Sequence, residues 1–154
     1  MGRAADGHQC RNSATTSTLS STDQPGHGDF ILASSSSNYD WRSPQNDNLW
    51  QGVNGTNNPC PSGYRLPTYA ELEAELYSWS SNNSSGAFAS PLKLPMAGNR
   101  HGSNGSLINV GSSGIYWSIT VNGTEANHLL FYSDYVGLAD LGRSVGLSVR
   151  CLKD

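Results

Sequence analysis

The chain has 154 residues, the size of one domain, with 14% charged and 36% hydrophobic residues against a usual share of about 25% and roughly 45–50%. Its formal net charge of −3 argues against nucleic-acid binding, which needs a basic stripe to release counterions. No apolar run approaches the roughly 18–20 residues of a membrane span, and Met1–Cys10 lacks the apolar centre of a secretory signal.

Small polar residues fill the deficit, yet 4 Trp, 7 Tyr and 3 Phe supply the means to fold. Each buried ring removes roughly 150–250 Å² from water. Residues 1–26 are expected to be a flexible leader or linker, because Ser13–Thr22 offers only Ala14 and Leu19 as apolar residues. The ordered domain is then expected over 27–154, opening on the apolar triplet Phe30, Ile31 and Leu32 and continuing through Trp41 and Trp50. The spacing predicts a helix from about Tyr69 to Trp79. Thr68 and Glu71 form a capping box, and Leu72, Leu76 and Trp79 fall on one face, with Glu71, Glu73 and Glu75 mostly solvated. The run Asn82–Gly86 ends it. Leu92, Leu94 and Met96 alternate, but Pro91 and Pro95 restrict them to an edge strand or an extended segment. Strands are predicted at Ile115–Ile119, Asn127–Tyr132 and Gly146–Leu152, whereas Asp134–Leu141 reads as a loop. The expected class is α+β: a small antiparallel sheet, one clear helix with room for a second, and long loops. The expected frame is Trp41, Trp50, Leu72, Leu76, Trp79, Trp117, Leu129, Phe131 and Val149.

Motifs for catalysis are sparse. His8, His27, His101 and His128 show no metal-ligand spacing and are read as loop residues. Gly98, Gly102 and Gly105 lack the GK[ST] of a phosphate loop, and no GxSxG elbow exists. Asp40, Asp47, Asp134 and Asp140 are too dispersed in sequence to indicate a calcium site. No cofactor, metal or catalytic residue is assigned, and the chain is read as a non-enzyme. Cys60 and Cys151 either form a bridge or remain two buried thiols. A bridge closing a loop of roughly 90 residues would contribute on the order of 4–5 kcal/mol. Cys10 is left over.

The C-terminal forty or so residues carry the most information. Alternation in Asn127–Tyr132 sets Leu129 and Phe131 on one face and His128, Leu130 and Tyr132 on the other. If the first pair is core, the second set is an exposed surface beside Asp134, Tyr135, Leu138, Asp140 and Leu141. Tyrosines among Ser, Gly and Asn are the composition of antibody-type paratopes. Packing of that face beneath another loop or domain is the alternative.

Several motifs stand in fixed order: Trp41-Arg42-Ser43-Pro44, Asn48-Leu49-Trp50, Cys60 through Thr68, Glu71 through Glu75, Tyr116-Trp117-Ser118 and Ser148-Val149-Arg150-Cys151. Over about Gly28 to Asp154 this pattern resembles the Fibrobacter succinogenes major paralogous domain family, a branch of the C-type-lectin-like fold related to formylglycine-generating enzymes. More narrowly it resembles the variable proteins of diversity-generating retroelements, bacterial or phage proteins in which a reverse transcriptase rewrites adenine positions near the 3′ end of the gene. The resemblance implies a variable segment of about 115–147 and a ligand-binding face of Ile119, Asn127, His128, Leu130, Tyr132, Asp134, Tyr135, Leu138, Asp140, Leu141 and Val145. It implies a protein or cell-surface ligand as partner, and a place on a cell surface or phage particle. The Glu-Pro-Asn, Gln-Pro-Asp and Trp-Asn-Asp elements of calcium-dependent sugar lectins are absent. An invariant adhesin-type domain and a degenerate formylglycine-type enzyme are the competing readings.

Overall fold

In the computed structural model, which describes residues 1–154, the elements run in the order β1 (Thr15–Thr16), β2 (Phe30–Ile31), a 3-10 turn (Ser35–Ser37), β3 (Tyr64–Arg65), α1 (Tyr69–Tyr77), α2 (Ser84–Ala89), β4 (Asn99–Arg100), β5 (Leu107–Ile108), β6 (Gly114–Asn122), β7 (Glu125–Phe131), β8 (Val136–Gly142) and β9 (Leu152–Lys153). The class is α+β, with small antiparallel sheets; the β1–β2 pair alone is parallel.

Helix α1 forms where its caps direct. Thr68 Oγ1 accepts from Glu71 N at 3.2 Å, and the Glu71 carboxylate accepts from Thr68 N at 2.8 Å. Arg65 fixes the same carboxylate through two guanidinium nitrogens at 2.7 and 2.8 Å. Leu72 and Leu76 are buried, and so is Trp79 just past the last turn, its indole donating to Glu75 at 3.0 Å. Asn83 lies within the run expected only to stop this helix. Its side chain caps Ser85 N and Gly86 N, and thereby starts α2.

Strand β8 corrects the loop expected at Asp134–Leu141. Gly137, Ala139 and Gly142 are poor strand formers, so local preference concealed it. Pairing with β7 imposes it, in an unbroken register from Phe131 opposite Val136 to Glu125 opposite Gly142. Strand β7 is therefore the central strand of the order β6-β7-β8. Against one face of this sheet, Tyr116, Leu129 and Phe131 pack with Leu72, Leu76, Trp79, Ala87 and Leu94. Phe131 fits because position 114 is glycine; a Cβ there would sit 2.0 Å from its ring. A second cluster joins Trp117, Ile119 and Ala126 to Met1, Trp50 and Leu66. Val149, expected in the frame, is 38% exposed.

Three further expectations change. Residues 1–26 do not stand apart: Met1, Gly2 and Arg3 are buried, and β1 pairs with β2. This segment is integrated through its main chain. The indole of Trp41 donates to Met1 O at 2.7 Å, that of Trp50 to Arg3 O at 3.1 Å, and Arg3 in turn donates to Asp29 O and His27 O. Of the two alternatives for Leu92–Met96, the edge strand does not form; Leu94 is buried and Pro95 O accepts from the Tyr116 hydroxyl at 2.8 Å. Of Gly146–Leu152 only Leu152 lies in a strand, β9, which pairs with β3. A Cys60–Cys151 disulfide, S–S 2.04 Å, closes the molecule beside that pair, and Cys10 is free and exposed.

Candidate ligand-binding face

The β7–β8 hairpin is closed at its tip by Tyr132 N donating to Tyr135 O at 2.8 Å, with Ser133 and Asp134 between them. Tyr132 O accepts from Ser84 N at 2.7 Å, which ties the turn to the start of α2. The rings of Tyr132 and Tyr135 lie 6.2 Å apart, and Tyr135 leans across Gly137, where a Cβ would come within 2.3 Å of its hydroxyl. Asp134 and Tyr135 are exposed, while Tyr132, Leu130, Leu138 and Asp140 are half-buried. By the register, Leu130 and Tyr132 lie on one face of the hairpin and Leu138 and Asp140 on the other, with Asp134 and Tyr135 at the tip between them.

The remainder of the expected face lies elsewhere. His128 is 5% exposed and meets Trp117 edge-on, with ring centroids 6.0 Å apart. Its Nδ1 has no hydrogen-bond partner in the protein, and burial pushes the imidazole below its ordinary pKa, opposed by the nearby Asp140 carboxylate. Asn127 is buried, with its amide on Asp140. Ile119, two residues past Trp117 and within the register irregularity that ends at Val121, lies in the second cluster with Trp117. Leu141 and Val145 are half-buried against that cluster. Period two assigned the faces of β7 correctly, but both faces of a central strand are covered, so facing away from the first core did not mean facing water. That is the correction to His128; Asn127 lies on the same side as Leu129 and is buried there, and Ile119, on β6, is buried with Trp117 in the second cluster.

Three residues were missed. Tyr69, Glu73 and Tyr77 recur every fourth residue along α1, a stripe beside Leu72 and Leu76, and they line a groove with the hairpin. The repeated aromatic spacing was the available signal. No group of three or more His, Cys, Asp or Glu side chains gathers as a metal site.

The two ends of the segment 115–147 meet. Tyr116 bridges Ser148; Trp117 N donates to Ser148 O at 3.0 Å, and Ser148 N donates to Ile115 O at 3.1 Å. The chain between them returns to the same point, carrying Leu129 and Phe131 into the first core on the way. In comparisons with known proteins, no family model, no curated protein and no solved structure matches this chain.

Proposed function

We propose that the chain is a non-catalytic ligand-binding module of C-type-lectin-like type, related to the retroelement variable proteins, whose interchangeable surface is the β7–β8 hairpin. The observation that carries this reading is the closed segment. The Tyr-Trp-Ser and Ser-Val-Arg-Cys elements are hydrogen-bonded side by side, so substitutions at the exposed and half-buried hairpin positions between them need not move the frame. Rigid display matters because each rotamer-rich side chain frozen on binding costs about 0.5–1.5 kcal/mol. Tyr132 and Tyr135 supply contact area with few torsions, on a turn already held by Ser84. The surface is narrower than the sequence implied: Leu130, Tyr132, Asp134, Tyr135, Leu138 and Asp140.

Sequencing the locus in sibling cells tests this. Codon changes should concentrate at those six positions and spare Trp117, Ile119, Asn127, His128 and Leu129. Uniform codons across siblings, or changes scattered through α1 and the second cluster, would overturn it.

A further inference from the structure

The two edges of the β6-β7-β8 sheet are treated differently. The outer edge of β6 is covered: Ser148 bonds Ile115 and Trp117, and Pro67 O accepts from Ile119 N at 2.9 Å. The outer edge of β8 pairs with no strand, and no main-chain group of residues 136–141 bonds anything outside the sheet. The hydrogen-bonded pair Tyr132–Tyr135 sets the alternation in the hairpin, so Gly137, Ala139 and Leu141 turn their amides toward β7. Val136, Leu138 and Asp140 then turn theirs outward. Such an edge is a template for another strand, which proteins ordinarily blunt with lysine, proline or a covering loop. Val136–Leu141 carries no lysine and no proline, and cover arrives only at Gly142, from Tyr39.

Alongside this edge runs an open groove of about 470 Å³ between α1 and the hairpin. Tyr69, Glu73 and Tyr77 line it from the helix, and Asp134, Tyr135 and Leu138 from the hairpin. Tyr77 is 75% exposed and Tyr135 52%. Neither Glu73 nor Asp134 has an ion-pair partner, and no Lys, Arg or His lines the groove. Carboxylates beside tyrosine faces suit a guanidinium or ammonium group, by charge and by cation–π attraction.

We infer that β8 and the α1 groove bind an extended, basic peptide segment of a partner protein by strand addition. Its main chain pairs with Val136, Leu138 and Asp140, and an Arg or Lys side chain enters between Glu73, Asp134 and the tyrosines. Main-chain pairing gives an affinity that survives changes in the hairpin residues, and the side-chain pockets give selectivity. This inference rests on the binding-module reading and names its partner class.

Octapeptides alternating Val with Arg, and matched peptides alternating Val with Glu, are titrated into ¹⁵N-labelled full-length protein while amide exchange is followed. The Val/Arg peptide should slow exchange at Val136, Leu138 and Asp140, and the Val/Glu peptide should bind at least tenfold more weakly. N-methylation of alternate peptide amides should abolish the protection, a test that leaves the protein unaltered. Charge reversal at Glu73→Lys with Asp134→Lys should weaken the Val/Arg peptide at least tenfold. Unprotected edge amides, equal binding of the two charge types, or undiminished binding after N-methylation would each overturn the inference. So would protection that rises with protein concentration alone, which gives the edge to a second copy of the chain. If the peptides fail while sibling codons vary at Tyr132, Asp134 and Tyr135, strand addition falls and the binding-module reading stands. Invariant codons with protected amides separate the two in the opposite sense.

Discussion

His128 shows how one position is decided by its neighbours. Its ring is buried against Trp117 with Nδ1 unpartnered, so the neutral form is favoured in the folded protein. An unfolded chain takes up a proton near pH 6.5. Below that value the unfolded state therefore binds more protons, and stability falls as pH drops from about 6.5 toward the lower folded pKa. His8, also shifted down by burial, adds a loss of the same sign. Urea melts across pH 5–8 should show a shallower decline for His128→Met than for the parent chain. His128→Lys, which buries a charge, should be the least stable of the three at every pH. An identical pH dependence in His128→Met and the parent would mean that the imidazole is solvated. In the sequence this residue was read both as a solvated loop histidine, which its burial in β7 corrects, and as lying on the side of β7 opposite Leu129, which is where it lies.

At the scale of elements, α1 was legible almost in full because its signals are local. The cap, the charge at N3 and the apolar spacing all lie within twelve residues of one another, and each is satisfied. Glu71 does double work there, capping Thr68 N and holding Arg65, and the Arg65 hydrogen bonds lower its pKa to about 2. Its stabilising contribution is present above pH 4.5 and is lost as pH falls toward 2. Glu71→Gln should therefore cost about 1 kcal/mol at pH 7, a cap-sized loss discounted for the partial exposure of the pair. The difference from the parent in urea melts should narrow below pH 4.5; a constant gap down to pH 2 would show that the carboxylate charge is not what matters. Strand β8 is the opposite case. Val136–Gly142 has Val136 as its one β-branched residue and no sustained alternation, and only the partner β7 makes it a strand. Missing it hid the open edge.

Across the whole molecule, little regular structure is long, and loops are held by side chains and one covalent link. The Cys60–Cys151 bridge spans 91 residues of sequence, enclosing both helices and the main sheet. By loop-closure entropy, its removal in Cys60→Ser with Cys151→Ser should cost on the order of 4–5 kcal/mol, read as a lower midpoint in denaturant with Tyr132 and Tyr135 still at the surface. A midpoint unchanged by the double substitution would mean that β3–β9 pairing already closes the loop. The N-terminal segment belongs at this scale too. Its composition argues for disorder taken alone, yet its carbonyls serve as acceptors for the indoles of Trp41 and Trp50, far along the chain.

The sequence by itself determined what depends on residues near one another: the helix α1, the aromatic frame, and the division of β7 into two faces. Tertiary structure decided what depends on distant partners. It decided that a glycine-bearing stretch becomes β8, that a polar N-terminal run lies against two tryptophans, and that Cys60 meets Cys151. It also decided that both faces of β7 are covered. Burial is set by whatever element covers a residue, and a pattern of period two carries no information about a cover drawn from another part of the chain.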